Sequence, residues 1–305
     1  MFCWSLLKAS PKPSTQHYYN MKKIDSKYNS QTIQQSCFYK LYSEEYLYKI
    51  LKISKNQFNK LLEQKNKILI HSQKPDKKRK LRDYTYPPEN SKLWLLYREF
   101  LRKFDRIKKP DYLFSCKKCV SHVFVAKYHS NCSSLVTIDI KSFFPSITYY
   151  HLFDFFKNTM KCSENISQNL SNLLTDNGKF MQGPCFSPIL SWLCFKKMFD
   201  EINSEAQKLN LKFSLWIDDI AISGTGSHKF IDFIKTKFAE YGLKIKWKKL
   251  QKYNHLNDEK EIMSVLIINN SIYAEENADL GYKKHIARVG LKTNQSQSIS
   301  SYSLL

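Results

Sequence analysis

Two short apolar stretches of this chain carry acidic residues where a buried strand ordinarily carries none. Leu135-Val136-Thr137-Ile138-Asp139-Ile140 holds one carboxylate, and Phe213-Ser214-Leu215-Trp216-Ile217-Asp218-Asp219-Ile220-Ala221-Ile222-Ser223-Gly224 is apolar on both sides of an Asp-Asp pair. The second pattern predicts a β-hairpin with two carboxylates at its tip. An acid inside an apolar strand costs several kcal/mol unless it is paired or metal-bound. An isolated Asp-Asp is commonly a solvated turn, but here two separate segments share the anomaly. If the two strands are neighbours, Asp139, Asp218 and Asp219 converge, and three like charges tolerate proximity around cations. Two Mg2+ ions held by such carboxylates form a site for phosphoryl or nucleotidyl transfer, one ion activating the attacking oxygen and the other the leaving oxygen.

Charge names the substrate class. The 305 residues include 49 Lys and Arg against 27 Asp and Glu, a formal net charge of +22. A domain this basic meets polyanions, because each cation placed on a phosphate releases condensed counterions. An acidic membrane surface is the rival, but no long basic amphipathic helix serves it. Hydrophobic residues make up 42%, enough to build a core despite the charge. No run of eighteen apolar residues exists, so no membrane-spanning helix is expected. The opening Met1-Phe2-Cys3-Trp4-Ser5-Leu6-Leu7-Lys8 is too short an apolar patch for a signal peptide, so a cytoplasmic location is expected. The 8 Cys are scattered and read as reduced thiols. Cys116-x-x-Cys119-x-x-His122 has ligand spacing, with His129 and Cys132 downstream. A second CxxC is missing, so ordinary thiols are favoured over zinc.

Along the chain, residues 1–42 read as a polar, loosely ordered extension. Helical spacing runs from Ser43 to about Ile70, with Ser54 as an N-cap. The basic run Lys77-Lys78-Arg79-Lys80-Leu81-Arg82 leads into a strand at Tyr84-Thr85-Tyr86, stopped by Pro87-Pro88. An amphipathic helix follows from Ser91 to Lys108. After the Asp139 strand, Ser142-Phe143-Phe144-Pro145-Ser146-Ile147 starts a helix. Gln182-Gly183-Pro184 is a turn, and Ser187-Pro188 is an N-cap and first-position pair. The helix it opens carries Leu190, Leu193, Met198, Ile202, Ala206 and Leu209 on one side. Gly242 to Trp247 alternates as a strand, and Ile262 to Ile268 reads as another. No repeat is visible, and only the tail after Thr293 is low in complexity.

The order Asp139-Ile140-Lys141-Ser142-Phe143-Phe144-Pro145-Ser146-Ile147, then Met181-Gln182-Gly183-Pro184-Cys185-Phe186-Ser187-Pro188-Ile189-Leu190-Ser191, then Trp216-Ile217-Asp218-Asp219 resembles bacterial reverse transcriptases, and among them the retron group. The resemblance covers roughly residues 45 to 290. It implies an α+β right-hand polymerase: fingers over 43–134, a palm with an antiparallel sheet over 135–269 carrying a fingers-side insertion at about 150–180, and a short helical thumb and tail over 270–305. The implied metal set is Asp139, Ile140, Asp218 and Asp219, holding two Mg2+ ions. Phe144 matches the aromatic under the sugar that discriminates against a 2′-hydroxyl, with a core aromatic as the alternative. Gln182 and Gly183 match the turn lying against the incoming dNTP. Arg79 and Arg82 match a triphosphate grip, with a solvated face or a template contact equally open. Lys249 is a candidate general acid toward the leaving pyrophosphate, against a plain surface lysine.

The resemblance further implies a dedicated structured non-coding RNA as template, priming from an RNA 2′-hydroxyl, and antiphage defence with an associated effector protein. The chain departs from the retron pattern in places. Val125-Ala126-Lys127-Tyr128-His129 keeps the Ala and His of an Asn-Ala-x-x-His stretch without its Asn, and Met263-Ser264-Val265 stands for Val-Thr-Gly. A defence-associated reverse transcriptase outside the retrons, template-independent or protein-primed, is the alternative. A catalytically silent RNA-binding scaffold is a third, opposed by the intact carboxylates.

Overall fold

The computed structural model describes residues 31–75, 79, 81–118, 120–254, 260–262, 265–268, 271–275 and 286–289. Serine caps set the first helices. Ser43 Oγ accepts from the Tyr46 N–H at the head of α1 (Glu44–Leu51). Ser54 and Gln57 form a reciprocal capping box that opens α2 (Lys55–Ile68), as expected. Next come a hairpin of β1 (Ile70–Pro75) and β2 (Leu81–Tyr86), and then α3 (Lys92–Phe104), capped by Ser91. Phe38, Phe100 and Phe104 stack with centroids 5.0–6.1 Å apart in the main core. Residues 31–42 therefore belong to the packed body: Phe38 is fully buried and Leu41 nearly so. A loosely ordered extension does not describe them, and residues 1–30 lie outside the described ones.

The central element is a four-stranded antiparallel sheet in the order β6–β7–β3–β8, built from β3 (Leu135–Asp139), β6 (Lys212–Trp216), β7 (Asp219–Ser223) and β8 (Gln251–Tyr253). Val136, Ile138, Phe213, Leu215, Ile220 and Ile222 are all buried, so their removal from water holds the sheet in place. Helix α4 (His122–His129) packs against β7 on one side. On the other it meets a second antiparallel sheet in the order β12–β11–β10–β9, made of β9 (Lys260–Ile262), β10 (Val265–Ile268), β11 (Ser271–Glu275) and β12 (Ile286–Val289). Between β3 and β6 run α5 (Phe143–Ser146), α6 (Tyr149–Asp154) with a π-helical continuation at Phe155–Thr159, α7 (Glu164–Leu173), a small hairpin of β4 (Thr175–Asp176) and β5 (Lys179–Phe180), then α8 (Ser187–Cys194) and α9 (Lys196–Lys208).

Several expectations need correction. Ser187 is the first helical residue rather than the cap, and its hydroxyl donates to the Met181 carbonyl; Phe186 holds the cap position. The long helix expected from Ser187 is broken at the buried Phe195, and Leu209 lies past its end, 53% exposed. The Ser91 helix stops at Phe104, four residues before Lys108. Gly242 to Trp247 is no continuous strand: Ile245 makes a single antiparallel bridge to Ile140, and a 3-10 turn follows at Trp247–Lys249. The run Ile262 to Ile268 is two antiparallel strands with Val265 facing Ile262. Of the short helical thumb and tail expected over 270–305, the described residues are the strands β11 and β12, and the rest of that expectation lies outside the described residues. Among the described residues, no helix is long and apolar enough to cross a membrane.

Candidate active site

The register of the central sheet brings the acids of both apolar segments together. Asp139, the last residue of β3, is the direct cross-strand partner of Asp219, the first of β7. Asp218 sits beside them in the two-residue turn between β6 and β7, and its carbonyl accepts from the Ile140 N–H at 2.9 Å. The turn is tight enough to hold Ile217 at φ +57°, a left-handed conformation that a β-branched residue rarely adopts. The Ile217 N–H is anchored by Ser115 Oγ at 3.1 Å. Ile140 is buried, so its contribution to a metal set is confined to its backbone carbonyl.

Asp139 is only 5% exposed, and its carboxylate meets two lysines: Lys249, in contact with Oδ2, and Lys246, 3.4 Å from Oδ1. Both lie around the 3-10 turn, and the Lys246 N–H also donates to the Asp139 carbonyl at 2.9 Å. Burial, then Asp218 and Asp139, push the Asp219 carboxyl up to about 7, against the pull of Lys249 and Lys246. Burial and Asp139 raise Asp218 too, opposed by its own backbone N–H, Lys249 and Arg82. Burial acts to lower the Lys249 ammonium, but its bond to Asp139 and the surrounding carboxylates outweigh it and leave the group raised. The nearby cations thus offset only part of the burial and mutual repulsion that disfavour the charged forms of Asp218 and Asp219.

Among the described residues no three acidic, His or Cys side chains gather into a ready cation cage, since Asp139 is turned onto its lysines. The donor set still fits a hard divalent ion: it is all oxygen, and the raised Asp218 and Asp219 mark where positive charge is wanted.

The hairpin β1/β2 reaches the same place from the fingers. Arg82, on β2, places its charge close enough to Asp218 to oppose the rise of its carboxyl, though not to cancel it. Arg79 sits in the loop between the strands at φ +60°, and no contact ties it to the carboxylates. The Thr85 N–H of β2 donates to the Gln182 carbonyl at 2.8 Å. Gly183 follows at φ +139°, where a Cβ would come 3.0 Å from the Thr85 oxygen, so only glycine fits this turn. Phe144 is half-buried and stacks on Phe180 at 6.2 Å, while its neighbour Phe143 takes the core position. Phe144 is therefore the partner with a face left over for a ligand.

Sequence reasoning passed over Lys246, whose signal was its place in a lysine-rich run beside Lys249. It also passed over the support given by His129, which is wholly buried with Nδ1 2.7 Å from Ser223 Oγ and Nε2 2.7 Å from Ser214 Oγ. This ring clamps α4 to both arms of the carboxylate-bearing hairpin. Both of its nitrogens are taken by serine hydroxyls, so neither is open to a metal. His122 packs edge-on against Trp216 at 4.3 Å, Cys132 accepts the buried Lys260 ammonium, and Cys119 lies outside the described residues.

A carboxylate-tipped hairpin beside a third strand acid, faced by an arginine-bearing fingers hairpin, defines a nucleotidyl-transfer palm. The family model described as "Reverse transcriptase (RNA-dependent DNA polymerase)" matches residues 73–283, more than half of the chain, and the protein belongs to that family. It is 31% identical over 120 residues to the Retron Se72 reverse transcriptase of Salmonella heidelberg (strain 579083-10). That match covers 39% of this chain and 32% of the relative, about a third of its length, and with the family match it supports a retron-type reverse transcriptase. Among solved structures, an apo telomerase from Candida tropicalis, truncated from its C-terminal domain, superimposes with a TM-score of 0.50 at 11% identity. The superposition covers 66% of this chain and 54% of that one, and bears out the right-hand polymerase fold. A telomerase from Candida albicans with a telomeric RNA fragment gives a TM-score of 0.46 over 72% and 50% of the two chains, at 11% identity.

Proposed function

We propose that this chain copies RNA into DNA from dNTPs, and that the observation carrying this reading is the Asp139–Asp219 pair with Asp218 in the adjoining turn. Asp139, Asp218, Asp219 and the Ile140 carbonyl would hold two divalent ions. Bound there, such ions supply Lewis-acid activation of a primer hydroxyl and charge neutralisation at the pyrophosphate. The chain's own residues do the rest. Arg82 draws the triphosphate toward Asp218. The Gln182–Gly183 turn presents a bare backbone edge to the nucleotide. Phe144 supports the sugar and rejects a 2′-hydroxyl by bulk. As the primer oxygen bonds to the α-phosphorus, the hydroxyl proton passes to solvent and the bond between the α-phosphorus and the bridging oxygen breaks; Lys249, kept protonated by Asp139, donates a proton to that departing pyrophosphate oxygen. Arg79 is assigned to the outer end of the triphosphate or to the template.

The retron resemblance extends the proposal. The template is a dedicated structured RNA, priming starts from an RNA 2′-hydroxyl to give a branched RNA–DNA product, and the system serves antiphage defence with an effector protein. Fingers over 43–134, palm over 135–269 and thumb beyond 270 are the corresponding division. The test is extension on an RNA template with dNTPs and Mg2+, run beside a reaction without template. Template-dependent DNA supports the proposal, and covalent RNA–DNA molecules recovered from cells support its retron part. Incorporation without template would replace it with the template-independent reading.

A further inference from the structure

A second site lies away from the carboxylates. A cavity of about 370 Å3 opens between the segment 31–39, helix α1 and the C-terminal end of α3, lined among others by Gln31, Gln35, Tyr39, Tyr46, Lys103 and Arg106. Its size falls within the range of about 300–1,000 Å3 typical of small-molecule sites. None of these residues belongs to the central sheet or to the β1/β2 hairpin.

The charge inside it is unbalanced. The acids of this region are engaged elsewhere: Glu99 with Arg102 at 2.7 Å, Asp105 with Lys109 at 2.8 Å, and Glu44 with Tyr48 at 3.2 Å. No carboxylate among the described residues lies within 4 Å of Lys103 or Arg106. Both cations line the cavity together with Cys37; burial raises the Cys37 thiol, while the charges of Lys103, Arg106 and Arg102 pull it down. Tyr46 is 51% exposed at the edge, and Tyr39 carries the Lys40 ammonium 5.8 Å over its ring. The cavity therefore combines two cations with no carboxylate of the described residues beside them, an accessible aromatic face and the amides of Gln31 and Gln35, the Gln35 oxygen accepting from the Thr32 N–H at 2.8 Å and its amide nitrogen remaining as a donor.

We propose that this cavity binds one nucleotide unit, its phosphate on Lys103 and Arg106 and its base stacked on Tyr46 with Gln31 and Gln35 reading the base edge. The chemistry is the same whether the unit belongs to an RNA strand held outside the template cleft or is a free nucleotide. The proposal leans on the polymerase reading only for RNA being the strand at hand.

The test uses the full chain, a fluorescein-labelled single-stranded RNA and mant-ATP, with EDTA present so that the carboxylate site takes no metal-bound triphosphate. Variants are Lys103→Glu with Arg106→Glu, and Tyr46→Ala, whose exposed position tolerates truncation if the double variant fails to fold. For a strand source, the double variant weakens RNA binding at least 10-fold. The slope of log affinity against log salt then falls by about 1.4, at about 0.7 per lost single-strand phosphate contact. Tyr46→Ala weakens binding about fivefold or more. For a free-nucleotide source, the same variants abolish mant-ATP binding and leave RNA affinity alone. Extension of a short template–primer stays at the parental rate in either case, so failure here and failure of the polymerase reading are distinguishable. Unchanged affinity for both probes in folded variants would overturn the proposal.

Discussion

Replacing His129 probes how the carboxylate-bearing β6/β7 hairpin is held. In the folded chain the ring is neutral: burial, with a smaller push from Lys212, lowers its pKa from 6.5 to about 3. Its two nitrogens bridge Ser214 on β6 and Ser223 on β7. In a neutral imidazole one nitrogen donates and the other accepts, so each serine plays a different part. The unfolded chain takes up a proton below pH 6.5, and the native chain does so only near pH 3. Stability from this residue is therefore fully present above pH 6.5 and falls as the pH drops through that window. At pH 4.5 the loss is about two pH units at about 1.36 kcal/mol each, or about 2–3 kcal/mol. His129→Phe keeps a ring in the space but strands the buried Ser223 hydroxyl, at about 1–3 kcal/mol, and leaves Ser214 only its long bond to the Ala221 carbonyl at 3.5 Å, at about 1 kcal/mol more. Urea unfolding followed by tryptophan fluorescence should find the variant about 2–4 kcal/mol less stable at pH 8. The gap should narrow by about 2–3 kcal/mol at pH 4.5, as only the parent loses stability through the imidazole. Parallel stability curves across this range would show that the ring is not held neutral, and the clamp argument would fail.

Three further substitutions test the site. Gly183→Ala places a Cβ against the Thr85 oxygen at a φ that alanine resists, so a loss of about 1–3 kcal/mol and a raised KM for dNTP are expected from thermal melts and steady-state kinetics. Lys249→Met removes the proton donor and one of the two cations on Asp139. Single-turnover kcat should fall about 100-fold or more, and the alkaline limb of the pH–rate profile should disappear. An unaltered profile would reduce Lys249 to a surface charge. Phe144→Ala should raise ribonucleotide incorporation relative to deoxyribonucleotide by about 10- to 100-fold in competition assays; no change would return Phe144 to the core beside Phe143.

The carboxylates were legible because burial and charge contradict each other at Asp139, Asp218 and Asp219, and a contradiction of that kind shows in a linear string. The Ser54 cap was legible because its physics is local. Strand β1 was not: its residues are almost all exposed, so no apolar alternation marks Ile70–Pro75, and only its pairing with β2 defines it. The Gly242–Trp247 segment alternates because Leu243 and Ile245 are buried, yet one bridge to Ile140 satisfies it and Trp247 is left exposed. Alternation reports burial and is silent on how far a ladder continues. Ile262 to Ile268 shows the converse, an apolar run interrupted only by Ser264 whose two ends pair with each other. Lys246 and the two serines on His129 are partners fixed by tertiary register, which spacing along the chain does not encode.

The most direct test of the polymerase account is single-turnover primer extension on an RNA template by the full chain and by Asp218→Asn, with RNA affinity measured on both. The account predicts that the variant binds RNA as tightly as the parent and loses extension by at least 1,000-fold. Extension preserved in Asp218→Asn would contradict it, because the acid cluster would then be structural and the chemistry would lie elsewhere.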